Sequence, residues 1–300
     1  MVLVPFLVAA CGGGGQIASG PANSDGVSQH YSGILAATEF LVGRNRFPFR
    51  LSNMDGAELE DATVQVQFFS LNQEEPVLKG EETAVWRQIT RVTPHTHADG
   101  STHGHHEVRG VYVVDEVVLE ESGIWRAQFT VTAVGGSKPQ VEGLAFQVVE
   151  TSVVPWLGDR VPATQNLTIH DVASFSEVST RQVEDHLHDI SVAGALAEEK
   201  PFVVVFSSPM FCVSRMCGPV TDMVAGVQER HTGNFHFIHI EPWDMDAARN
   251  DGRLVPASEM LEWRLPTEPW LFVVDSQGRV SARFEGLVTA EELERKLQPQ

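Results

Sequence analysis

Two cysteines in the C-terminal part of the chain are the side chains best suited to chemistry. Cys212 and Cys217 have four residues between them, enough for the two sulfurs to come within disulfide distance. Cys217 begins a predicted helix over residues 218–231, where free backbone N–H groups and the helix dipole favour a thiolate. Arg215 adds positive charge nearby. The pair therefore predicts redox chemistry, a fixed disulfide or a thiolate metal site.

A second group of chemically capable residues is a cluster of histidines in a polar, glycine-containing segment that we predict to be a loop. Imidazoles bind Zn, Cu or Ni when three or more of them converge. No cysteine stands beside them, so a solvated loop that binds nothing is the alternative. Zn or Cu is thus the only cofactor the sequence raises, and thiol chemistry needs none. The cluster comprises His95, His97, His103, His105 and His106.

Composition sets the limits within which these groups must work. The chain has 300 residues, of which 42% are hydrophobic, and this length predicts two folded units. Asp and Glu outnumber Lys and Arg by 40 to 21, which gives a net charge of −19. A chain this acidic repels phosphate backbones, so we expect no nucleic-acid partner.

The amino terminus carries a short apolar segment over residues 2–10 that ends in Val8-Ala9-Ala10-Cys11. It is too short to span a bilayer as a helix. The ending resembles the lipobox of bacterial lipoproteins. This resemblance implies a signal peptide over residues 1–11, lipid attachment at Cys11 and an extracytoplasmic protein anchored to the cell membrane. A glycine-rich, flexible tether would follow over residues 12–37. The alternative is an apolar leader on a cytosolic protein.

Residues 38–150 show apolar side chains at a period near two, which is typical of half-buried strands. Turn signals such as those at residues 53–56 separate these stretches. We predict an all-β sandwich of the immunoglobulin-like kind. The segment over residues 121–126, a turn into a strand with a tryptophan, resembles extracytoplasmic CopC and YtkA-like sandwich domains. The clearest strand patterns cover residues 62–69, 110–114, 125–131 and 144–149.

The pattern changes in the second half of the chain. Residues 151–189 are interrupted by Pro, Gly, Ser and Thr and predict an irregular connector. Over residues 190–300 strands alternate with helices, which predicts an α/β unit with parallel strands. A helix starting after Thr289 closes the chain. The predicted helices cover residues 191–200, 218–231 and 258–264, and the strands residues 202–206, 235–240, 270–274 and 280–284.

This order of elements, with cysteines between the first strand and the next helix, resembles the thioredoxin-like superfamily over roughly residues 155–298. Thr267-Glu-Pro269 before a strand is similar to the family's cis-proline loop, which implies that Pro269 is cis and faces the cysteines. Residues 157–163 resemble the leader that precedes many peroxiredoxin and TlpA-like domains. The resemblance implies a thiol–disulfide oxidoreductase that acts on a protein thiol or disulfide partner.

The chain departs from the family in the spacing of its cysteines. Val220 stands where thioredoxins carry the second cysteine after Cys-Gly-Pro. We therefore predict Cys217 as the nucleophile and the upstream Cys212 as its resolving partner. Two alternatives stay open. One is a binding module with a structural disulfide, and the other is a copper site like that of SCO-like proteins, whose cysteines have three residues between them. His236 and His239 fall on opposite faces of a strand and form a poor joint ligand pair.

Overall fold

The computed structural model describes residues 30–96, 102–132, 139–231 and 233–298. These residues form a nine-stranded sheet system followed by a smaller α/β unit. No helix within these ranges has the length and apolar character needed to cross a membrane. The N-terminal strands are β1 (His30–Leu35), β2 (Phe40–Leu41), β3 (Gly43–Asn53), β4 (Val64–Ser70), β5 (Val77–Thr96), β6 (Thr102–Leu119), β7 (Gly123–Val131), β8 (Gln140–Glu142) and β9 (Leu144–Val149).

The long strand β5 divides the nine-stranded system into the two layers of a sandwich. Its first part pairs with β4, and from Val85 onward it pairs with β6. The strand order β2-β9-β7-β4 lies on one side of β5 and β6-β3-β1-β8 on the other. Phe49 of β3 meets Phe129 of β7 with ring centroids 4.6 Å apart, so the two layers pack face to face. The predicted all-β sandwich is confirmed.

The sandwich follows from alternation of side chains along its strands. In β4 every second residue is fully buried, and β7 alternates in the same way around Trp125. Successive side chains of a strand point to opposite faces, so one face of each layer supplies the core. Aromatic rings fill much of that core, where Phe47 lies 5.0 Å from Phe68 and 5.1 Å from Phe146 between centroids. Burial of these rings is the main stabilising contribution.

The folded part of the N-terminal region begins earlier than the sequence predicts. Strand β1 begins at His30, inside the segment predicted as tether, so the folded part starts earlier. Only Tyr31 of its six residues is fully buried, which is why it shows no clear apolar period. Gly33 is required there, because a Cβ would lie 2.7 Å from the ring of Phe129.

Four of the five clustered histidines, His95, His103, His105 and His106, lie on paired strands rather than in the predicted loop. β5 continues to Thr96 and β6 starts at Thr102, with His95 opposite His103 in the register. A two-stranded arm is held by its backbone ladder, which forms without an apolar pattern in the sequence. His97 lies outside the described residues, and the Zn or Cu site stays a prediction.

The C-terminal unit is built on a mixed four-stranded sheet in the order β11-β10-β12-β13. β10 is parallel to β11 and antiparallel to β12, which in turn is antiparallel to β13. All five residues of β10 are buried, as expected for a central strand covered on both faces. The elements are α1 (Val192–Ala197), β10 (Phe202–Phe206), α2 (Cys217–His231), β11 (His236–Ile240), α3 (Met245–Asp251), α4 (Ser258–Glu262), β12 (Trp270–Val274), β13 (Val280–Glu285) and α5 (Ala290–Leu297).

Each predicted helix and strand of this unit is present, and helix α3 is an addition. Its seven residues are mostly polar and only Ala248 is buried, so no helical apolar period marks it. Polar caps define it instead: the Asp244 side chain accepts a hydrogen bond from the Ala247 N–H, and Gly252 ends the helix with a φ of 65°.

The connector is irregular, as predicted, except for a short 3-10 turn over Phe175–Glu177. It nevertheless packs into the C-terminal unit. Val154 and Val161 are buried in the same core as Phe202 of β10. The Asn166 side chain accepts a hydrogen bond from the Val192 N–H at 2.9 Å and so helps to start α1. The connector is thus part of the fold that supports the cysteines.

The sandwich and the C-terminal unit pack directly against each other. Ile89 of β5 and Val111 and Val113 of β6 share a core with Val224 and Val227 of α2. These sandwich residues lie on the face of their layer that points away from the aromatic core, because side chains alternate along a strand. The face that water would otherwise cover is therefore buried by helix α2.

Candidate functional site

Cys212 lies within the loop between β10 and α2, and Cys217 is the first residue of α2. They form a disulfide, with their Cα atoms 6.0 Å apart. Ser207 and Ser208, which follow the buried strand β10, are themselves buried and anchor the start of the loop. The prediction that the two sulfurs come within disulfide distance is thus confirmed.

The two sulfurs differ in their surroundings. Cys217 is completely buried in the first turn of α2, whereas Cys212 is partly exposed. The Cys217 N–H donates to the Cys212 sulfur at 3.4 Å, and the Ser214 hydroxyl lies 3.2 Å from that sulfur. Donors at a helix N-terminus stabilise negative charge on sulfur. The sequence-based choice of Cys217 as nucleophile requires an accessible Cys217 sulfur, and the structure instead exposes Cys212.

The loop before β12, which contains Glu268 and Pro269, lies next to the disulfide. The Glu268–Pro269 peptide bond is cis, as the sequence predicts. A carboxylate oxygen of Glu268 and the sulfurs of Cys212 and Cys217 all lie within 4.8 Å of one another. The loop therefore brings an acidic group to the disulfide.

Glu268 is held in place by two hydrogen bonds. The Trp243 indole N–H donates to Oε1 at 2.6 Å, and the Ser208 N–H donates to Oε2 at 2.7 Å. The pKa of Glu268 is raised to about 7, mainly by loss of solvent and to a smaller extent by the negative charge of Glu241, while the two hydrogen-bond donors act in the opposite direction. A carboxyl group with this pKa exchanges protons near neutral pH.

The family comparison agrees with this geometry. A family model described as a thioredoxin-like domain matches residues 189–299. Residues 189–299 form a thioredoxin-like domain. No curated protein matches the chain. The match covers roughly the C-terminal third of the sequence and includes the disulfide, the cis-proline loop and all four strands of the small sheet.

A row of buried polar groups supports the cysteine loop of the thioredoxin-like domain. Glu241 Oε1 accepts hydrogen bonds from both the N–H and the hydroxyl of Thr180, each at 2.7 Å. The Thr180 hydroxyl also accepts from the Met210 N–H at 3.1 Å, which fixes the loop two residues before Cys212. Burial raises the pKa of Glu241.

Two buried histidines lie behind the end of β10. His239 Nε2 is 2.7 Å from the Ser207 carbonyl oxygen and therefore donates to it. His188 Nε2 lies 3.0 Å from His239 Nδ1, which leaves the His188 ring as the donor in that contact. Burial lowers the pKa of His188 to about 4 and also lowers the pKa of His239, so both rings are neutral at neutral pH and serve to position the loop.

A copper site at the two cysteines, as in the copper hypothesis, requires a histidine side chain close to both sulfurs. Within the described ranges, the group of potential ligands around the sulfurs contains Glu268 and no histidine. Both ring nitrogens of His239 form hydrogen bonds, one with the Ser207 carbonyl oxygen and one with His188. The His236 ring instead contacts Glu198 at 2.8 Å, which agrees with the prediction that His236 and His239 lie on opposite faces of the strand. Among the residues that the structure describes, no imidazole therefore lies beside the two sulfurs.

Sequence reasoning found the cysteines and Pro269 but passed over Glu268. The signal was present in Thr267-Glu-Pro269, because the residue before the proline of this loop lies next to the cysteines. Nothing in the local sequence indicates that the carboxylate is partly buried and hydrogen-bonded, since its partners Ser208 and Trp243 come from distant segments.

Proposed function

We propose that the protein is a thiol–disulfide oxidoreductase that uses the Cys212–Cys217 disulfide. The observation that carries this proposal is the asymmetry of the pair: a partly exposed Cys212 is joined to a buried Cys217 in the first turn of α2. Such an arrangement lets a partner reach one sulfur while the other stays protected within the fold.

The difference in burial supports different roles for the two sulfurs. A substrate thiolate attacks Cys212, forms a bond to its sulfur and breaks the Cys212–Cys217 bond, whose electron pair leaves on Cys217. A second substrate thiolate then attacks the substrate sulfur of the mixed disulfide and releases Cys212 as a thiolate. The substrate dithiol is oxidised and the cysteine pair is reduced by two electrons. The reverse sequence, starting from the Cys212 thiolate, reduces a substrate disulfide.

A protein is the partner class that best fits the surface around Cys212. Met210 is 58% exposed and Val213 is 86% exposed, so apolar side chains flank the accessible sulfur on both sides. Exposed apolar groups beside a reactive centre contribute favourably to the binding free energy when a partner covers them. A polypeptide that presents its thiol or disulfide next to apolar residues would bury both side chains.

Catalysed reduction of insulin disulfides by dithiothreitol tests the proposal. We expect activity in the unchanged protein and its loss in both Cys212→Ser and Cys217→Ser. Cys11→Ser is the matched control, because it removes a cysteine outside the pair, and it should retain full activity. If all four proteins show the same rate, or if cysteine loss lowers only thermal stability, the pair is structural and the proposal fails.

We also propose that the domain works outside the cytoplasm, held at the membrane through a lipid on Cys11. Support comes from the lipobox-like Val8-Ala9-Ala10-Cys11, which lies outside the described residues. A kinship with TlpA-like extracytoplasmic proteins, and of the sandwich with YtkA-like domains, belongs to the same proposal. Labelling with a fatty-acid analogue in a bacterial host should mark the unchanged protein and not the Cys11→Ser variant. Label that persists in this variant contradicts the proposal.

A further inference from the structure

Glu268 is a partly buried carboxyl group next to the reacting sulfurs, and the thiol–disulfide exchange proposed above gives it no role. It stands directly before Pro269 in the loop next to the disulfide, and one of its oxygens lies within 4.8 Å of both sulfurs. Burying a carboxyl group is costly unless hydrogen bonds compensate for the loss of water. Its two donors, from Trp243 and Ser208, hold it at this place.

The buried sulfur needs a proton partner. When the disulfide opens, Cys217 receives the electron pair in a site that water does not reach, because its exposed fraction is 0%. An anion in such a site is disfavoured by desolvation. Cys212, in contrast, has the Cys217 N–H and the Ser214 hydroxyl beside its sulfur, and it is partly open to solvent.

We propose that Glu268 is the proton donor and acceptor for Cys217 during exchange, an inference that rests on the proposed oxidoreductase function. When a substrate thiolate opens the disulfide at Cys212, the carboxylic acid of Glu268 gives its proton to the departing Cys217 sulfur. The products are a Cys217 thiol, a Glu268 carboxylate and a mixed disulfide at Cys212. In the reverse direction Glu268 takes the proton from Cys217 as this sulfur attacks the mixed disulfide.

The surroundings of Glu268 suit this role. Proton transfer requires hydrogen-bond reach directly or through one water, and such contacts often tighten only during reaction. Apart from the two cysteines, Glu241 is the titratable group whose charge acts on Glu268, and it raises its pKa. The resulting pKa of about 7 leaves both the acid and the carboxylate populated near neutral pH.

The test is the pH dependence of reduction of the oxidised protein by dithiothreitol, with each rate divided by the concentration of dithiothreitol thiolate. In the unchanged protein this corrected rate should fall about tenfold as the pH rises through about 7, because Glu268 loses its proton. Glu268→Gln should be slow at all pH values and show no inflection. The exposed Glu184→Gln is the matched control and should keep the original profile.

Glu268→Asp guards against a folding defect, since it keeps the carboxyl group one methylene further away and should retain an inflection of smaller amplitude. A flat corrected profile in the unchanged protein, or an unchanged inflection in Glu268→Gln, overturns the role of Glu268 while exchange itself stands. A disulfide that dithiothreitol does not open at any pH removes both this role and the proposed function.

Discussion

At the scale of single residues, the same burial that suits Glu268 to proton transfer should make the stability of the fold depend on pH. The pKa of Glu268 rises to about 7 in the folded protein from its ordinary value of 4.5. A raised carboxyl pKa means that the folded state binds the proton more tightly than the unfolded state. The stabilisation is therefore complete below about pH 4.5 and is lost as the pH rises through about 7.

The unfolding free energy of the oxidised, unchanged protein should fall by up to about 3 kcal/mol more between about pH 5 and about pH 8 than that of Glu268→Gln, which has no carboxyl group to titrate at this position. Guanidinium unfolding at both pH values measures this difference. Glu184→Gln should leave the original pH dependence intact. If Glu268→Gln shows the same loss of stability with rising pH as the unchanged protein, Glu268 is not protonated in the fold at neutral pH.

The residue scale also separates what the sequence can predict from what it cannot. Cysteine is rare in this chain, so the spacing of Cys212 and Cys217 was enough to predict that their sulfurs can meet. The relative exposure of the two sulfurs depends on how the loop packs against α2 and the Glu268 loop. That packing involves residues far apart in the chain. The sequence therefore could not show which of the two cysteines a partner can reach.

At the scale of elements, helix α5 shows how a local signal becomes a tertiary contact. The Thr289 hydroxyl accepts from the Glu292 N–H at 3.3 Å, and Glu292 Oε2 accepts from the Thr289 N–H at 2.9 Å. The other oxygen of Glu292 accepts from Arg46 of the sandwich at 3.1 Å. The cap therefore starts the helix and positions a carboxylate for the contact between the two units.

Replacing Thr289 with Ala should lower the unfolding free energy by about 1 kcal/mol, because the Glu292 N–H loses its acceptor. Thr289→Ser is the control, since it retains the hydroxyl and should lose much less. Thermal or denaturant unfolding of the two variants measures the difference. Equal losses in both variants would mean that the methyl group, and not the cap, is responsible.

Element prediction worked where apolar periodicity or capping marks the chain. β10 and β12 have the predicted bounds, because five consecutive buried residues give each a clear apolar run. α3 and β1 were not predicted, since one buried residue in each leaves no period to detect. Their formation depends on partners elsewhere: β1 pairs with β3, and the start of α3 is capped by Asp244.

At the scale of the whole molecule, a buried ion pair joins the sandwich to the thioredoxin-like domain. Arg283 donates to Glu39 at 2.6 Å, and their side chains are only 10% and 12% exposed. The guanidinium also lies 4.3 Å from the ring of Trp156 and 4.7 Å from that of Trp270. A charge this deeply placed depends on its partner for stability.

Glu39→Gln should therefore destabilise the protein by about 3 kcal/mol, because it removes the one carboxylate that pairs directly with the Arg283 guanidinium and leaves only the more distant charges of Glu285 and Asp159. Glu116→Gln is the control: it breaks the contact with Arg44, and because these two side chains are 54% and 75% exposed it should cause no measurable change. Denaturant unfolding compares the two. Similar small effects would show that the pair contributes little to holding the two units together.

The measurement that tests the central claim most directly is a redox titration of the purified protein in glutathione buffers. Acid quenching, alkylation and mass spectrometry then give the fraction of Cys212 and Cys217 present as thiols at each ratio of reduced to oxidised glutathione. We predict one reversible transition in which both cysteines change together from disulfide to dithiol. A pair that stays oxidised at every ratio, or that does not return to the disulfide when the ratio is reversed, would contradict thiol–disulfide exchange at this site.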